Sequence, residues 1–145
     1  MDKLYSLQNG TDIRGVAYKD DKSDLEITLT REDVKNLVRG FATWIIDKDK
    51  KDHIKISIGT DSRLTGPDFR QACVEALTEI GVDVVDCGMA TTPAMFMSTI
   101  IDGYKCDGAI MFTASHMPYV YNGLKMFTSQ GCLEKSDLKD VIDIC

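Results

Sequence analysis

The sequence predicts an α/β fold, a three-layer α/β/α sandwich with a mixed, mainly parallel sheet. Three observations carry that expectation. Short β-branched or apolar segments (IKISIG at 54–59, VDVVDCG at 82–88, GAIMFT at 108–113) alternate with helical patterns, the order expected of strand–helix–strand crossovers in a parallel sheet. Two of the helical patterns begin with threonine and proline and end at glycine, which brackets each as a separate helix. The last strand, GLKMF at 123–127, follows GAIMFT too closely for a helical crossover, so it is expected to return antiparallel at a sheet edge.

The elements follow in order. In TREDVKNLVRGFATWIID (30–47), Thr30 with Asp33 forms a capping-box pattern, and Val34, Leu37, Val38, Phe41 and Ile45 recur at helical spacing. The charge run KDKKDH ends that helix as a solvated stretch. IKISIG is the first crossover strand. GPDFRQACVEALTEIG (66–81) opens with Pro67 in its first turn and closes at Gly81, with Phe69, Cys73, Ala76, Leu77 and Ile80 on one apolar face. VDVVDCG is the second strand, and TTPAMFMSTIIDG (91–103) repeats the plan with a threonine cap, Pro93 and Gly103. GAIMFT then runs straight into Ser115. Finally SDLKDVIDIC (136–145) starts a helix with Ser136 as its cap and Leu138, Val141, Ile142 and Cys145 on one face; so short a helix must bury that face to persist, and a longer parent polypeptide is expected.

With 145 residues the chain is expected to form one domain, residues 1–145. Its 43% hydrophobic and 28% charged residues are the balance of an ordinary soluble protein. The net charge of −6 argues against a nucleic-acid surface, which needs a basic face to neutralise phosphates. No apolar run is long enough to span a bilayer, MDKLYSLQNG holds no signal-peptide core, and the cytosol is the expected compartment. The five cysteines, odd in number and without a CxxC pair, indicate neither a disulfide framework nor a zinc cage and read as reduced, mostly buried residues.

In an open sheet of this kind the ligand site lies beyond the carboxyl ends of the strands, where backbone N–H groups of turns and helix starts converge. GTDSRLTG, GMATTP and TASHMP end at that edge. Among their hydroxyls Ser115 alone is flanked by an imidazole, His116, and followed on the adjoining strand by a lysine, Lys125. A serine-hydrolase elbow does not fit: it needs small residues two positions either side of the serine, where Thr113 and Met117 stand, and an immediate neighbour such as His116 points away from Ser115. Singly, Ser115 reads as a turn cap, Lys125 as a strand-edge charge, and Asp61 and Arg63 as loop residues.

Taken together the motifs say more. GTDIRG (10–15), GTDSRLTGP (59–67), TASHMP (113–118) and NGLK (122–125) stand in the order and at the intervals of one family. Over nearly its whole length the chain resembles the first domain of the α-D-phosphohexomutases, the phosphoglucomutase and phosphomannomutase enzymes. That resemblance implies that Ser115 carries a phosphoryl group, passes it to a hexose phosphate to give a bisphosphate, and receives the other phosphoryl group back. It implies Mg2+ bound through the Ser115 phosphate, with the remaining ligands supplied by downstream domains of the same polypeptide, and a glucose 1,6-bisphosphate-type activator. Ser115, Lys125, Arg14 and His116 are then the catalytic set, and Arg14, His116 and Lys125 also contact substrate. A guanidinium stays protonated in proteins, which makes Lys125 the acid/base candidate and Arg14 a clamp. Asp61 and Arg63 are expected to support the serine loop. The chain departs from the family pattern at Met117, where many members have asparagine, and near Gly10 and Thr11, where a tyrosine is common. No DxDxD-like acidic loop occurs in the 145 residues, so the isolated chain is expected to be inactive as a mutase. The alternative is a stand-alone domain that binds phosphate or sugar phosphate without catalysis.

Overall fold

In the strand Gly108–Phe112 every residue is buried, and the alternation of side chains divides the core between two faces. Ile110 and Phe112 join a large apolar cluster on one side, and Ala109 and Met111 join a smaller one on the other. A strand that is apolar on both faces must be covered from both sides. The computed structural model, which describes residues 2–145, has helices on both sides of one sheet.

The elements are α1 (Asp2–Ser6), β1 (Gln8–Asn9), β2 (Asp12–Val16), α2 (Arg31–Asp49), β3 (Lys55–Thr60), α3 (Gly66–Glu79), β4 (Asp83–Met89), α4 (Thr92–Met97), β5 (Gly108–Phe112), β6 (Tyr121–Thr128), β7 (Gly131–Cys132) and α5 (Lys135–Ile144). The strand order is β1-β2-β6-β5-β3-β4, with β7 beside β6. On one face α2 lies between α3 and α5, and Leu37, Phe41 and Ile45 pack toward Ile56, Ile58 and Phe112. On the other face α4 sets Met95 against Ala109 and Met111.

The sheet is mixed, with parallel pairing confined to β4–β3–β5 and antiparallel pairing in β5–β6, β6–β2, β2–β1 and β6–β7. Strand β6 is therefore interior and not at an edge as expected. DIRGV is itself a strand, and it pairs antiparallel with β6 in the register Ile13↔Leu124, Arg14↔Gly123, Gly15↔Asn122. This addition carries the antiparallel pairings beyond the two parallel ones that the crossover pattern implied.

Three local expectations also change. The helix after Pro93 ends at Met97 and does not reach Gly103, because the Ser98 and Thr99 hydroxyls turn back onto the carbonyls of Met95 and Phe96 at 2.6 and 2.7 Å. Ile80, assigned to the apolar face of α3, is the exposed residue at its end, one step before the left-handed Gly81. The last helix is capped at Glu134, whose backbone N–H donates to Asp137, and Ser136 lies inside it; Leu138, Val141 and Ile142 are buried as expected, but Cys145 is exposed. All five cysteines are free thiols; Cys73 and Cys106 alone are buried. Among the described residues no helix is long and apolar enough to cross a membrane.

At the start of α2 the capping box is complete. Thr30 Oγ1 accepts from the Asp33 N–H at 3.2 Å, and the Asp33 carboxylate accepts from the Thr30 N–H at 2.8 Å and from Lys3. Burial pushes the Asp33 carboxyl up, but hydrogen bonds from Lys3 and Thr30 outweigh it and hold the group below its ordinary value. A depressed carboxyl stabilises the folded state above its ordinary pKa, and that contribution is lost as pH falls through the folded-state value. Thr30→Ala is expected to cost about 1 kcal/mol in urea unfolding at neutral pH, and less at acid pH where Asp33 is protonated. An equal cost at both pH values would separate the cap from the Asp33 charge.

Candidate active site

The carboxyl edge of the parallel strands gathers the three expected loop segments. The Asp61 N–H donates to the Phe112 carbonyl at 3.1 Å, and the Ala90 N–H to the Thr60 carbonyl at 3.0 Å, so the loops after β3, β4 and β5 are joined by main-chain bonds. Ser115 stands exposed on the third loop with φ at 52°, in the left-handed region that side-chain-bearing residues rarely adopt. Such a residue costs roughly 1 kcal/mol or more and persists only where its surroundings impose it.

Arg63 is what imposes it. Its guanidinium is nearly buried, and all five N–H donors are used: Nη1 reaches the carbonyls of Pro118 and Tyr121 at 2.9 and 3.0 Å, Nη2 those of Ser115 and Met117 at 2.9 Å each, and Nε the Asp61 carboxylate at 3.3 Å. One side chain thus ties four carbonyls of residues 115–121 to the loop after β3. Asp61 completes the frame by accepting from Thr113 Oγ1 at 2.7 Å, and Thr113 Oγ1 in turn accepts from the Ser115 N–H at 3.0 Å. The far end of the serine loop is fastened to the segment just after β2, where the Ala17 and Tyr18 N–H groups both donate to the Val120 carbonyl. A cleft of about 290 Å³ opens beside this frame, lined by Asp61, Ser62, Arg63, Leu64, Ser115, Met117 and Tyr119.

Arg14 and Lys125 form a second unit. Both meet Asp12, with Arg14 Nη2 at 3.0 Å from Oδ2 and Lys125 Nζ at 2.7 Å from Oδ1. The strand period places Asp12 and Arg14 on one face of β2, and the β2–β6 register carries Lys125 alongside. Arg14 lies opposite Gly123, whose carbonyl accepts from the Thr113 N–H, so Arg14, Gly123 and Thr113 make one row across three strands. With strands about 4.8 Å apart, that row sets the Arg14 backbone about 10 Å from Thr113, two residues before Ser115.

The structure brings Ser115, Asp61 and Arg63 into direct hydrogen-bonded contact, and Arg14 and Lys125 into contact with each other's counter-ion. It does not join the two groups by a hydrogen bond. His116 is exposed and makes no hydrogen bond among the described residues. His53, the other histidine, pairs with Asp83 at 2.8 Å at the opposite ends of the strands. Asp12 and Thr113 escaped the residue-level reading, although Asp12 stands two positions before Arg14 in a motif quoted for other reasons. Asn122 is likewise structural to the edge: it is buried and donates to Thr65 Oγ1 at 2.9 Å, and Thr65, with a helical backbone, makes no side-chain cap on α3. As for Mg2+, among the described residues no three His, Cys, Asp or Glu side chains cluster as a metal site, and Asp61, the carboxylate nearest the serine loop, is committed to Thr113 and Arg63. The side chains present do not build a metal cage.

Residues 6–144 match the family profile described as phosphoglucomutase/phosphomannomutase, alpha/beta/alpha domain I. The chain is 36% identical over 144 residues to the phosphoglucosamine mutase of Caldicellulosiruptor bescii, a match covering 99% of this chain and 28% of that protein. It is 31% identical over 144 residues to the phosphoglucosamine mutase of Alkaliphilus oremlandii, covering 99% and 29% respectively. Among solved structures, a phosphoglucomutase/phosphomannomutase family protein of Burkholderia thailandensis aligns with a TM-score of 0.78 at 26% identity, covering 99% of this chain and 30% of the other. The chain spans less than a third of the length of these relatives.

Proposed function

Because this chain belongs to the phosphoglucomutase/phosphomannomutase family as its α/β/α domain I, we propose that it is the catalytic-serine domain of a mutase that interconverts hexose 1-phosphate and hexose 6-phosphate. The observation that carries the reading is the exposed Ser115 in a left-handed backbone, held on a loop whose carbonyls are fastened by a single guanidinium. A loop so held presents a hydroxyl at a fixed point while remaining open to a large anionic substrate. In the transfer step a sugar hydroxyl attacks the phosphorus of phosphorylated Ser115, the new O–P bond forms as the Oγ–P bond breaks, and the hydroxyl proton leaves through an acid/base group.

Such a reaction asks the protein chiefly for alignment and for neutralisation of charge on the moving phosphoryl group. A serine phosphate brings a charge of about −1.5 to −2. Arg14 and Lys125 are assigned to meet it, Lys125 as the acid/base group and Arg14 as the clamp. His116, exposed beside the serine, is assigned to substrate. The Mg2+ ligands beyond the Ser115 phosphate and the groups that select the sugar are assigned to further domains of a longer polypeptide. Phosphoglucosamine mutases among the relatives make glucosamine phosphate the first sugar to test.

Incubated with glucosamine 1,6-bisphosphate or glucose 1,6-bisphosphate and Mg2+, the chain is expected to gain one phosphate, mapped to Ser115 by peptide mass. It is expected to yield no net isomerisation of the monophosphate. Ser115→Ala should gain none. Phosphate on another residue, or uptake by the alanine variant, would overturn the assignment. Binding of the bisphosphate without transfer would favour a binding module.

A further inference from the structure

Arg14 and Lys125 arrive from different strands and end on the same carboxylate. Asp12 is 8% exposed, and its two oxygens are divided between them, Oδ2 to Arg14 and Oδ1 to Lys125. Arg14 has little else to orient it. Its Nε is buried without a partner, and among the described residues the bond to Asp12 is the guanidinium's hydrogen bond. Lys125 carries a flexible four-carbon stem and is about a quarter exposed, so without Asp12 its ammonium would sample many rotamers. Charge also matters: two cations sharing one carboxylate leave a net charge of +1 where three isolated groups would be hydrated separately.

We propose that Asp12 is a positioning residue, which locks Arg14 and Lys125 into one singly positive unit for phosphoryl transfer at Ser115. This rests on the function proposed for Ser115. Asp12 does not touch the phosphoryl group; it acts by holding the two groups that do. Asp12→Asn keeps the shape of the side chain and one acceptor oxygen but removes the shared charge. The cluster then becomes doubly positive, which favours an incoming anion, while its geometry loosens, which opposes transfer.

The test is single-turnover phosphorylation of Ser115 by glucose 1,6-bisphosphate, followed by intact mass in wild type, Asp12→Asn and Asp12→Glu. At saturating donor the Asp12→Asn rate is expected to fall about tenfold to a hundredfold, whereas the half-saturating concentration stays the same or falls. Asp12→Glu, which restores the charge on a longer arm, should recover part of the rate. A carboxylate that merely holds the fold would weaken rate and affinity together with no recovery by glutamate, and that pattern, or an unchanged rate in Asp12→Asn, overturns the proposal. If wild type itself takes up no phosphate, transfer to Ser115 by this chain alone fails as proposed, and a second measurement tests Asp12 independently of it. Amine labelling of Lys125 in the folded chain, read by peptide mass against exposed Lys105, is expected to be several-fold faster in Asp12→Asn; equal labelling would show that Asp12 holds nothing.

Discussion

Arg63→Ala is expected to lower folding stability by about 3 kcal/mol and to abolish phosphate uptake at Ser115, even though no atom of the Arg63 side chain is assigned to the reaction. The reasoning begins with the count of bonds. Five N–H donors in a rigid planar fork meet four loop carbonyls and one carboxylate. A hydrogen bond to a charged group contributes about 1.5–3 kcal/mol, but the loop carbonyls lie near the surface and water would recover much of that, so the sum falls well below five times the single value. What water cannot restore is the common tether. Without it, residues 115–121 keep their own turns, Met117 N–H to Ala114 and Tyr121 N–H to Pro118, the bond from the Ser115 N–H to Thr113 and the anchor of the Val120 carbonyl. The carbonyls of Ser115 and Met117 nevertheless lose their shared tether, and the left-handed Ser115 loses its main restraint. Amide hydrogen exchange at Met117 and Tyr121 should accelerate markedly, while the amides of β3 should keep their protection. Arg63→Lys is expected to recover less than half of the loss, because a single ammonium cannot span carbonyls on several sides. Unchanged protection in Arg63→Ala would mean that the loop's own turns suffice and that Ser115 owes its conformation to them.

Much of this architecture was legible in residue order, and the parts that were not share a physical cause. Strands β3, β4 and β5 and helices α2 and α3 are local statements: β-branched runs, caps and breakers act within a few residues of themselves, and each is visible in one dimension. DIRGV as a strand is not local. Its main-chain partners lie more than a hundred residues away on β6, and without it β6 looks like an edge. Arg63 stands in a quoted motif, but the carbonyls it bonds could not be read, because carbonyls exist at every position and leave no residue signature. Asp12 is different. A carboxylate two positions before an arginine in an extended segment shares its face, and period-two reading of GTDIRG would have paired them. The helix bracketed by Pro93 and Gly103 is cut short at Met97 because the Ser98 and Thr99 hydroxyls compete for backbone carbonyls inside it, which the bracketing residues do not reveal.

The same row across three strands yields the other large expected effect. Gly123→Ala adds one methyl group to the middle of β6, and in most strands an alanine in place of glycine would gain about 0.4–1 kcal/mol by restricting the unfolded chain. Here the added carbon would overlap the Ile13 carbonyl oxygen outright, lie 2.9 Å from the Thr113 carbonyl oxygen and 3.2 Å from Arg14 Cγ. Two of those neighbours are backbone atoms of flanking elements, so neither can rotate away; β2 or the start of the serine loop has to shift. Overpacking of this kind costs about 1–3 kcal/mol where side chains can yield, and the upper end or beyond applies where main chain must move, so a net loss of about 3 kcal/mol is expected. Against a total stability of roughly 5–15 kcal/mol, that shift should be plain in the urea midpoint. Displacement of β2 also carries Asp12 and Arg14 away from Lys125, so phosphate uptake at Ser115 should fall further than stability alone explains. That second loss would be visible at temperatures where the variant remains folded. If Gly123→Ala unfolds at the wild-type midpoint, the β2–β6 pairing seen here cannot be as close in solution, and the alignment of Arg14 with Gly123 and Thr113 would have to be abandoned.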